Sequence, residues 1–224
     1  MKFEYVGHAC VRCIANDGQM LIIDPPKESY GYPIADRHAD YVTCSHKHGD
    51  HGAVELFPVS THLPEDQMRL KAGPFLLERF PCWHDNQGGT QRGANLVHKI
   101  TADGITFVHL GDLGHWPDEN LKEFAAGADL LALPVGGVFT LTLDQLSPLI
   151  RLLQPSYVLP IHYRTAQGAL QQLHPLEDFL SCWDGEVLRV EHSLFELTEK
   201  RPREPVVLIT DFSSRVRKER KKTL

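Results

Sequence analysis

The sequence contains no apolar stretch that approaches the roughly 18 residues needed to cross a membrane. It has no excess of positive charge either, because 23 Lys and Arg stand against 29 Asp and Glu, for a formal net charge of −6. This composition does not favour a membrane protein or a protein whose main partner is nucleic acid. The first residues enter a strand-like pattern without a signal peptide, so we expect a cytoplasmic location.

Cysteine is scarce, with five residues among 224, and the odd number argues against a disulfide framework. Cys10 and Cys13 form a Cys-x-x-Cys motif in a predicted strand, where positions three apart point to opposite faces. We therefore interpret them as small buried residues rather than as a redox or zinc pair. A Gly-x-Ser-x-Gly motif is also absent, so a serine nucleophile of that type is not predicted.

Short apolar patterns separated by turn residues make up most of the chain, and they predict strands first, then alternating strands and helices, then strands. The predicted strands cover residues 2–6, 10–15, 20–24, 40–45, 75–80, 94–100, 105–110, 129–133, 156–161, 187–190, 194–197 and 206–209. The predicted helices cover 118–126, 143–153 and 175–182, with another short helix after Gly52. Two mixed sheets with helices outside would accommodate this order in an α/β protein.

The length predicts one domain, which we place at residues 1–212. Residues 213–224 are polar and basic, and we expect them to form a disordered tail.

Thirteen histidines are the unusual feature of the composition, and three of them lie in one short segment. His46, His48, Asp50 and His51 follow directly after a predicted buried strand. Imidazole nitrogen and carboxylate oxygen are the ligands that zinc-like divalent metals prefer. A loop at a strand end can turn alternate side chains inward, so His46 and His48 can share one ion while Asp50 and His51 face a second.

Four ligands do not fill two metal sites, so further ligands are expected from other strand ends. His84, Asp112 and His162 each follow a predicted strand, which is where the sites of α/β proteins lie. His109 and His115 are nearby competitors for His84, although His109 lies within a strand and is expected to pack structurally.

The His-x-His-x-Asp-His run, followed by a later His, an Asp and a final His, resembles the metallo-β-lactamase superfamily. More narrowly, the chain resembles a small bacterial branch of metal-dependent hydrolases related to the ascorbate-phosphate lactonase. The segments that carry the resemblance, besides the histidine run, are residues 7–9, 21–25, 88–93, 109–114, 134–137 and 160–163.

This resemblance implies a four-layer αββα sandwich of two mixed β-sheets flanked by helices, with a binuclear metal centre. The implied ligands are His46, His48 and His84 for the first ion, Asp50, His51 and His162 for the second, and Asp112 as a bridge between them. Asp24 would orient the metal loop from behind the ligands. Zinc is expected first, and manganese or iron could occupy the same ligands.

Such a centre would hydrolyse a small ester, lactone or phosphoester with metal-bound hydroxide, and Asp50 would accept or relay a proton. His8 follows the first predicted strand, where it could be a histidine satisfied by hydrogen bonds near the core. We predict instead a catalytic residue at the mouth of the site that contacts substrate without binding metal. The loop at residues 86–93 offers backbone donors and Arg92 for an anionic group of a small-molecule substrate. The sequence is compatible with a homo-oligomer and with a monomer.

Two alternatives use the same ligands. One is a di-iron redox protein that depends on a flavin-bearing partner. The other is a non-catalytic metal-binding protein, or one associated with nucleic acid through the basic tail.

Overall fold

The computed structural model describes residues 1–198 and 201–210, which form two facing β-sheets. The first sheet contains β1 (Lys2–Gly7), β2 (Cys10–Ile14), β3 (Met20–Ile23), β4 (Tyr41–Thr43) and β12 (Leu194–Glu196), in the order β12-β1-β2-β3-β4. The second contains β5 (Arg69–Ala72), β6 (Phe75–Trp83), β7 (Ala94–Ala102), β8 (Ile105–His109), β9 (Leu130–Pro134), β10 (Tyr157–Ile161), β11 (Val187–Val190) and β13 (Val206–Thr210), in the order β11-β13-β10-β9-β8-β7-β6-β5. Both sheets mix parallel and antiparallel pairs, as predicted.

The main core lies between the sheets, because alternate residues of each strand point inward. Phe3 from β1 contacts Phe107 from β8 edge to face, with ring centroids 5.2 Å apart. Cys13 belongs to this core, whereas Cys10 packs on the outer face of the first sheet. The prediction that the two cysteines face opposite sides of the sheet as small buried residues is confirmed.

In residues 1–198 and 201–210, three helices cover the outer face of the second sheet: α1 (Glu119–Ala125), α2 (Leu143–Leu153) and α3 (Leu176–Ser181). The longest, α2, buries Leu146, Leu149, Ile150 and Leu153 at the spacing of one helical face. Each of the three lies within two residues of its predicted bounds.

Within the part of the chain that the structure describes, turns and 3₁₀ segments rather than an α-helix cover the outer face of the first sheet. The short helix predicted after Gly52 is a 3₁₀ turn at Val54–Leu56, and a second one follows at Val59–Thr61. Pro58 separates the two turns and ends any helical continuation, because it disfavours helical geometry in the residue before it. The two-sheet sandwich is confirmed, and its outer layer on this side is thin.

Two further differences from the sequence prediction are local. The strand β5 was not predicted, because its alternation of Arg69, Leu70 and Lys71 has only one strongly apolar position. The strand β6 continues to Trp83, so the loop begins where the strand ends, at His84. The predicted tail and the domain boundary at residue 212 lie outside the described residues. No helix in the described ranges is long and apolar enough to span a membrane.

One edge of the sandwich collects the carboxyl ends of several strands from both sheets. Strands β1, β3 and β4 in the first sheet run the same way, as do β6, β8, β9 and β10 in the second. A backbone hydrogen bond from His162 to the His8 carbonyl, at 2.8 Å, joins the ends of β10 and β1. The residues after these strands therefore meet above the core.

Candidate metal centre

Asp24, directly after β3, is hydrogen-bonded to residues of the histidine-rich segment. Its carboxylate is fully buried and accepts hydrogen bonds from the Ser45 backbone N–H at 2.5 Å and the Ser45 hydroxyl at 2.7 Å. It also accepts one from Nδ1 of His51 at 2.8 Å. Asp24 has a left-handed backbone with φ of 53°, which turns its side chain beneath the loop. The carboxylate thus joins Ser45 and His51, whereas its role in orienting metal ligands stays a prediction.

The imidazoles of His46, His51 and His84 all direct the same ring nitrogen, Nε2, into the site. In each ring Nδ1 is hydrogen-bonded away from the site: to the Ser45 hydroxyl at 2.9 Å, to Asp24 at 2.8 Å and to the Phe139 carbonyl at 3.0 Å, respectively. In each ring Nε2 is therefore turned toward the interior. Metal-binding histidines show this arrangement, because the outward bond sets the tautomer and the direction of the free nitrogen.

Asp112 lies at the centre of these rings. Its Oδ2 is 3.0 Å from Nε2 of His84 and 3.2 Å from Nε2 of both His51 and His162. Nε2 of His46 is 3.8 Å away. One carboxylate oxygen of Asp112 thus faces four imidazoles.

Hydrogen bonds of Asn95 and the tight packing of Gly111 hold Asp112 in place. The Asn95 side chain accepts a hydrogen bond from the Asp112 backbone N–H at 3.0 Å and donates one to the Leu110 carbonyl at 2.9 Å. Gly111 packs so tightly here that an added Cβ would lie 2.3 Å from Asn95 and 2.6 Å from Ser45. Only glycine fits at this position, where φ is +56°.

The donor atoms form groups of the size that holds a metal ion. Atoms of His46, His48 and His84 lie within 4.8 Å of one another, as do those of Asp50, His51 and His162 together with His8. His46, His51 and Asp112 form a third group that joins the first two. The structure therefore brings together all seven predicted ligands, with His48 exposed and the other six buried.

Several of these atoms fit a metal because they are buried without another partner. Nε2 of His46, Nε2 of His51 and Oδ1 of Asp112 have no hydrogen-bond partner among the described residues. A buried polar atom without a partner is costly, and each of these is a nitrogen or carboxylate oxygen that a divalent ion accepts. The residues present fit a metal centre.

The charges of the cluster also favour a cation. Burial would raise the pKa of Asp112, but the imidazoles of His162 and His51 hold it well below its usual range. Burial would lower the pKa of His51, but the Asp112 and Asp24 carboxylates raise it well above its usual range. Burial lowers the pKa of His46 to about 3, and His51 adds to the effect. The carboxylates stay ionised and draw positive charge between them.

His8 lies beside Asp50 rather than at an open mouth, because only 2% of it is exposed. Its Nε2 is 3.1 Å from Oδ2 of Asp50, and its ring stacks on Tyr32 with centroids 5.5 Å apart. Burial, reinforced by His162, lowers the pKa of His8 to about 4, so the neutral ring donates to the Asp50 carboxylate. The expected position at the mouth is wrong, whereas the role of His8 in binding substrate stays a prediction.

The glycine-rich loop after His84 is organised around Asp85, which was not singled out from the sequence. One carboxylate oxygen of Asp85 accepts from the backbone N–H groups of Gln87 and Gly89, and the other from those of Gln91 and Arg92, at 2.8 to 3.0 Å. Although burial acts the other way, these four donors lower the pKa of Asp85 to about 2. The expectation that they are free for a substrate anion is wrong, because Asp85 already occupies them.

A pocket of about 490 Å³ opens beside His46 and His48. Its lining includes Arg92, Lys47 and Glu65, and its apolar part includes Leu96. Nζ of Lys47 lies 2.8 Å from Glu65, so these two charges balance each other at the surface. The guanidinium of Arg92 has no carboxylate partner among residues 1–198 and 201–210.

The competing histidines have other partners. Nε2 of His109 is bound to the Ala9 carbonyl at 2.8 Å, and its Nδ1 accepts from the Gly111 N–H at 3.0 Å, so the structural role predicted for it is confirmed. Nε2 of His115 accepts from the Trp83 N–H at 3.3 Å. Sequence reasoning missed Ser45 and Asn95. Ser45 could have been found as the hydroxyl next to His46, whereas nothing in the sequence marks Asn95.

A sandwich of two mixed sheets with a histidine–aspartate cluster at the carboxyl ends of its strands defines a metalloprotein of the metallo-β-lactamase type. The family model described as the β-lactamase superfamily domain matches residues 2–162. The chain belongs to the metallo-β-lactamase superfamily, and it is a metal-dependent hydrolase, as its relatives' names also indicate.

Curated relatives match most of the chain. A metal-dependent hydrolase of Carboxydothermus hydrogenoformans is 29% identical over 196 residues, which cover 74% of this chain and 85% of the relative. Another from Thermococcus onnurineus is 28% identical over 195 residues, with the same coverage.

Solved structures agree with the fold. A protein of Thermotoga maritima, named as a Zn-dependent hydrolase of the metallo-β-lactamase superfamily, superposes with a TM-score of 0.73 at 28% identity and covers 93% of this chain and 98% of its own. The diiron β-hydroxylase CmlA of Streptomyces venezuelae superposes with a TM-score of 0.53 at 15% identity, over 72% of this chain and 44% of its own. The second likeness concerns the fold alone.

Proposed function

We propose that the chain binds two divalent metal ions and hydrolyses a small ester, lactone or phosphoester that carries an anionic group. The observation that carries this proposal is the position of Asp112. Its Oδ2 lies 3.0 Å from Nε2 of His84, which belongs to one donor group, and 3.2 Å from Nε2 of His51 and His162, which belong to the other. A carboxylate in that position suits a bridge between two ions. Zinc is the first expectation, with manganese or iron able to use the same ligands.

When bound, two adjacent divalent ions lower the pKa of a coordinated water and stabilise negative charge on the substrate oxygen. We expect His46, His48 and His84, on the side of the pocket, to hold one ion. Asp50, His51 and His162, on the side of His8, would hold the other. Because only His48 is exposed among the seven, substrate is expected to approach from its side.

Asp50 is the residue best placed to hold or move a proton. Its Oδ2 lies between Nε2 of His8 at 3.1 Å and Nε2 of His51 and His162 at 3.6 and 3.7 Å. Burial would raise its pKa, but the nearby imidazoles of His162 and His8 keep it well below its usual range. We assign His8 the task of orienting this carboxylate while Asp50 accepts and passes on a proton.

The guanidinium of Arg92 supplies the anion contact in the pocket. It can bind a carboxylate or phosphate with two parallel hydrogen bonds. We therefore expect a substrate whose scissile bond lies near the metal ligands and whose anionic group reaches Arg92.

The test is a hydrolysis screen with protein loaded with zinc, manganese or iron, using lactones, phosphodiesters and neutral esters. His48→Ala should lose the activity, whereas His38→Ala is the matched control, because His38 is exposed and outside the cluster. Chelated protein should be inactive and recover when metal is returned. Two irons per chain without hydrolysis of any substrate would favour the redox alternative, and full metal content without any turnover would favour the non-catalytic one.

A further inference from the structure

Phe139, in the loop that follows β9, touches two different parts of the site. Its backbone carbonyl accepts the hydrogen bond from Nδ1 of the metal-ligand candidate His84 at 3.0 Å. Its ring lies under the guanidinium of Arg92, whose Cζ is 3.6 Å from the ring centroid. One residue therefore joins the metal cluster to the cation of the pocket.

The backbone of Phe139 is held in a conformation that a bulky side chain rarely adopts. Its φ is 72°, in the left-handed region. Such a conformation persists only where the surroundings impose it, and residues of this kind concentrate at functional sites. Here the bond to His84 is one restraint, and the backbone bond from Leu141 to the Leu113 carbonyl, at 3.2 Å, is another.

Arg92 needs such support because its guanidinium has no other partner in the described ranges. Its backbone N–H is bound to Asp85 at 2.8 Å, which fixes where the side chain begins. The ring of Phe139 then fixes the position of the Arg92 guanidinium, because a guanidinium is attracted to an aromatic face. By contrast, the charge of Lys47 on the same pocket is already balanced by Glu65.

We propose that Phe139 is a positioning residue that aims the Arg92 guanidinium at the anionic group of the substrate while its own carbonyl keeps His84 directed at the metal. This inference rests on the proposed function, because Arg92 is the substrate contact named there. An arginine held in place beforehand loses less side-chain entropy when an anion binds, so the ring increases affinity without touching the anion.

The test measures binding of inorganic phosphate to metal-loaded protein by titration calorimetry, and metal affinity by competition with a chelator. Phe139→Leu removes the aromatic face but keeps the backbone carbonyl, and Phe139→Tyr restores the face. Arg92→Ala removes the cation. Phe124→Leu is the matched control, because Phe124 carries Lys99 at 4.2 Å from its ring centroid in a contact of the same kind on helix α1.

We expect Phe139→Leu to weaken phosphate binding by about 3- to 30-fold, the range of a cation–π contact, with metal affinity unchanged. Phe139→Tyr and Phe124→Leu should match the wild type. In the Arg92→Ala background, Phe139→Leu should have no further effect, because the ring acts through Arg92.

Three outcomes would overturn the inference: unchanged phosphate affinity in Phe139→Leu, an equal loss with and without Arg92, or a parallel loss of metal affinity that marks a merely structural role. Failure of the proposed function is recognised separately, as absence of turnover in the wild-type protein with intact phosphate binding.

Discussion

Asp24→Asn tests how far the buried carboxylate beneath the site controls metal binding. An asparagine keeps the shape but replaces one acceptor oxygen by an NH₂ group. Whichever way it is turned, that group faces a donor, either the Ser45 N–H or the pair formed by the Ser45 hydroxyl and Nδ1 of His51. The loop that carries the ligands loses its anchor while the core stays intact. We expect metal affinity to fall by about 10- to 100-fold, as for other groups that orient metal ligands.

The change in affinity translates into a shift in thermal unfolding. At a metal concentration about 100 times the wild-type dissociation constant, metal binding stabilises the native state by about 2.7 kcal/mol. With affinity reduced roughly 30-fold, the same concentration stabilises by about 0.9 kcal/mol. The difference of roughly 2 kcal/mol corresponds to about 4–8 °C for a protein of this size. The metal-dependent rise in Tm should be smaller in Asp24→Asn by that amount.

The assay is a pair of melting curves, with and without zinc, together with chelator competition. Asp129→Asn is the control. Asp129 is also buried and accepts a backbone hydrogen bond from Thr106 at 2.8 Å. It precedes the first residue of β9 and therefore lies at the strand end away from the metal site. The control variant should lower Tm in both conditions and leave the metal-dependent rise unchanged. Equal metal-dependent rises in Tm for Asp24→Asn and the wild type would show that the Asp24 carboxylate does not control metal binding.

Three further predictions concern the site and its surroundings. His48→Ala and Asp112→Ala should each abolish hydrolysis with circular dichroism close to that of the wild type, because both residues lie beyond strand ends; global unfolding of both would mean that the cluster is mainly structural. His8→Ala should lower turnover by about 10- to 1,000-fold at unchanged metal stoichiometry, because Asp50 loses an orienting donor; loss of metal would instead make His8 a ligand, and an unchanged rate would make it structural. Burial lowers the pKa of His98 to about 3, so the unfolded chain gains a proton below about pH 6.5 that the native state excludes, and stability falls as the pH drops through this range. His98→Gln should flatten this fall in urea unfolding of metal-free protein, by at most about 1.4 kcal/mol per pH unit; an unchanged slope would contradict it.

The seven ligand candidates could be named from the sequence because each follows a strand whose pattern is visible. His46 to His51 form one dense run, and His84 and His162 directly follow runs of apolar residues. Strands that run the same way bring their ends to one edge, so position along the chain becomes position in space. The same logic predicted the two-sheet sandwich and the bounds of helix α2.

Contacts that depend on three-dimensional packing were not predictable in this way. The carbonyl of Phe139 and the amide of Asn95 reach the site from residues with no distinctive spacing. Backbone donors of the glycine-rich loop can be counted in a sequence, whereas their occupation by Asp85 depends on how the loop closes. The burial of His8 likewise depends on packing against Tyr32. The narrower relation to the ascorbate-phosphate lactonase branch stays a prediction.

Anomalous diffraction from crystals of the zinc-loaded protein, recorded on both sides of the zinc edge, would show directly how many ions the site binds. We expect two anomalous peaks about 3.5–4 Å apart on either side of Asp112. One peak should contact His46, His48 and His84, and the other Asp50, His51 and His162. A single peak, or peaks away from Asp112, would contradict the binuclear centre.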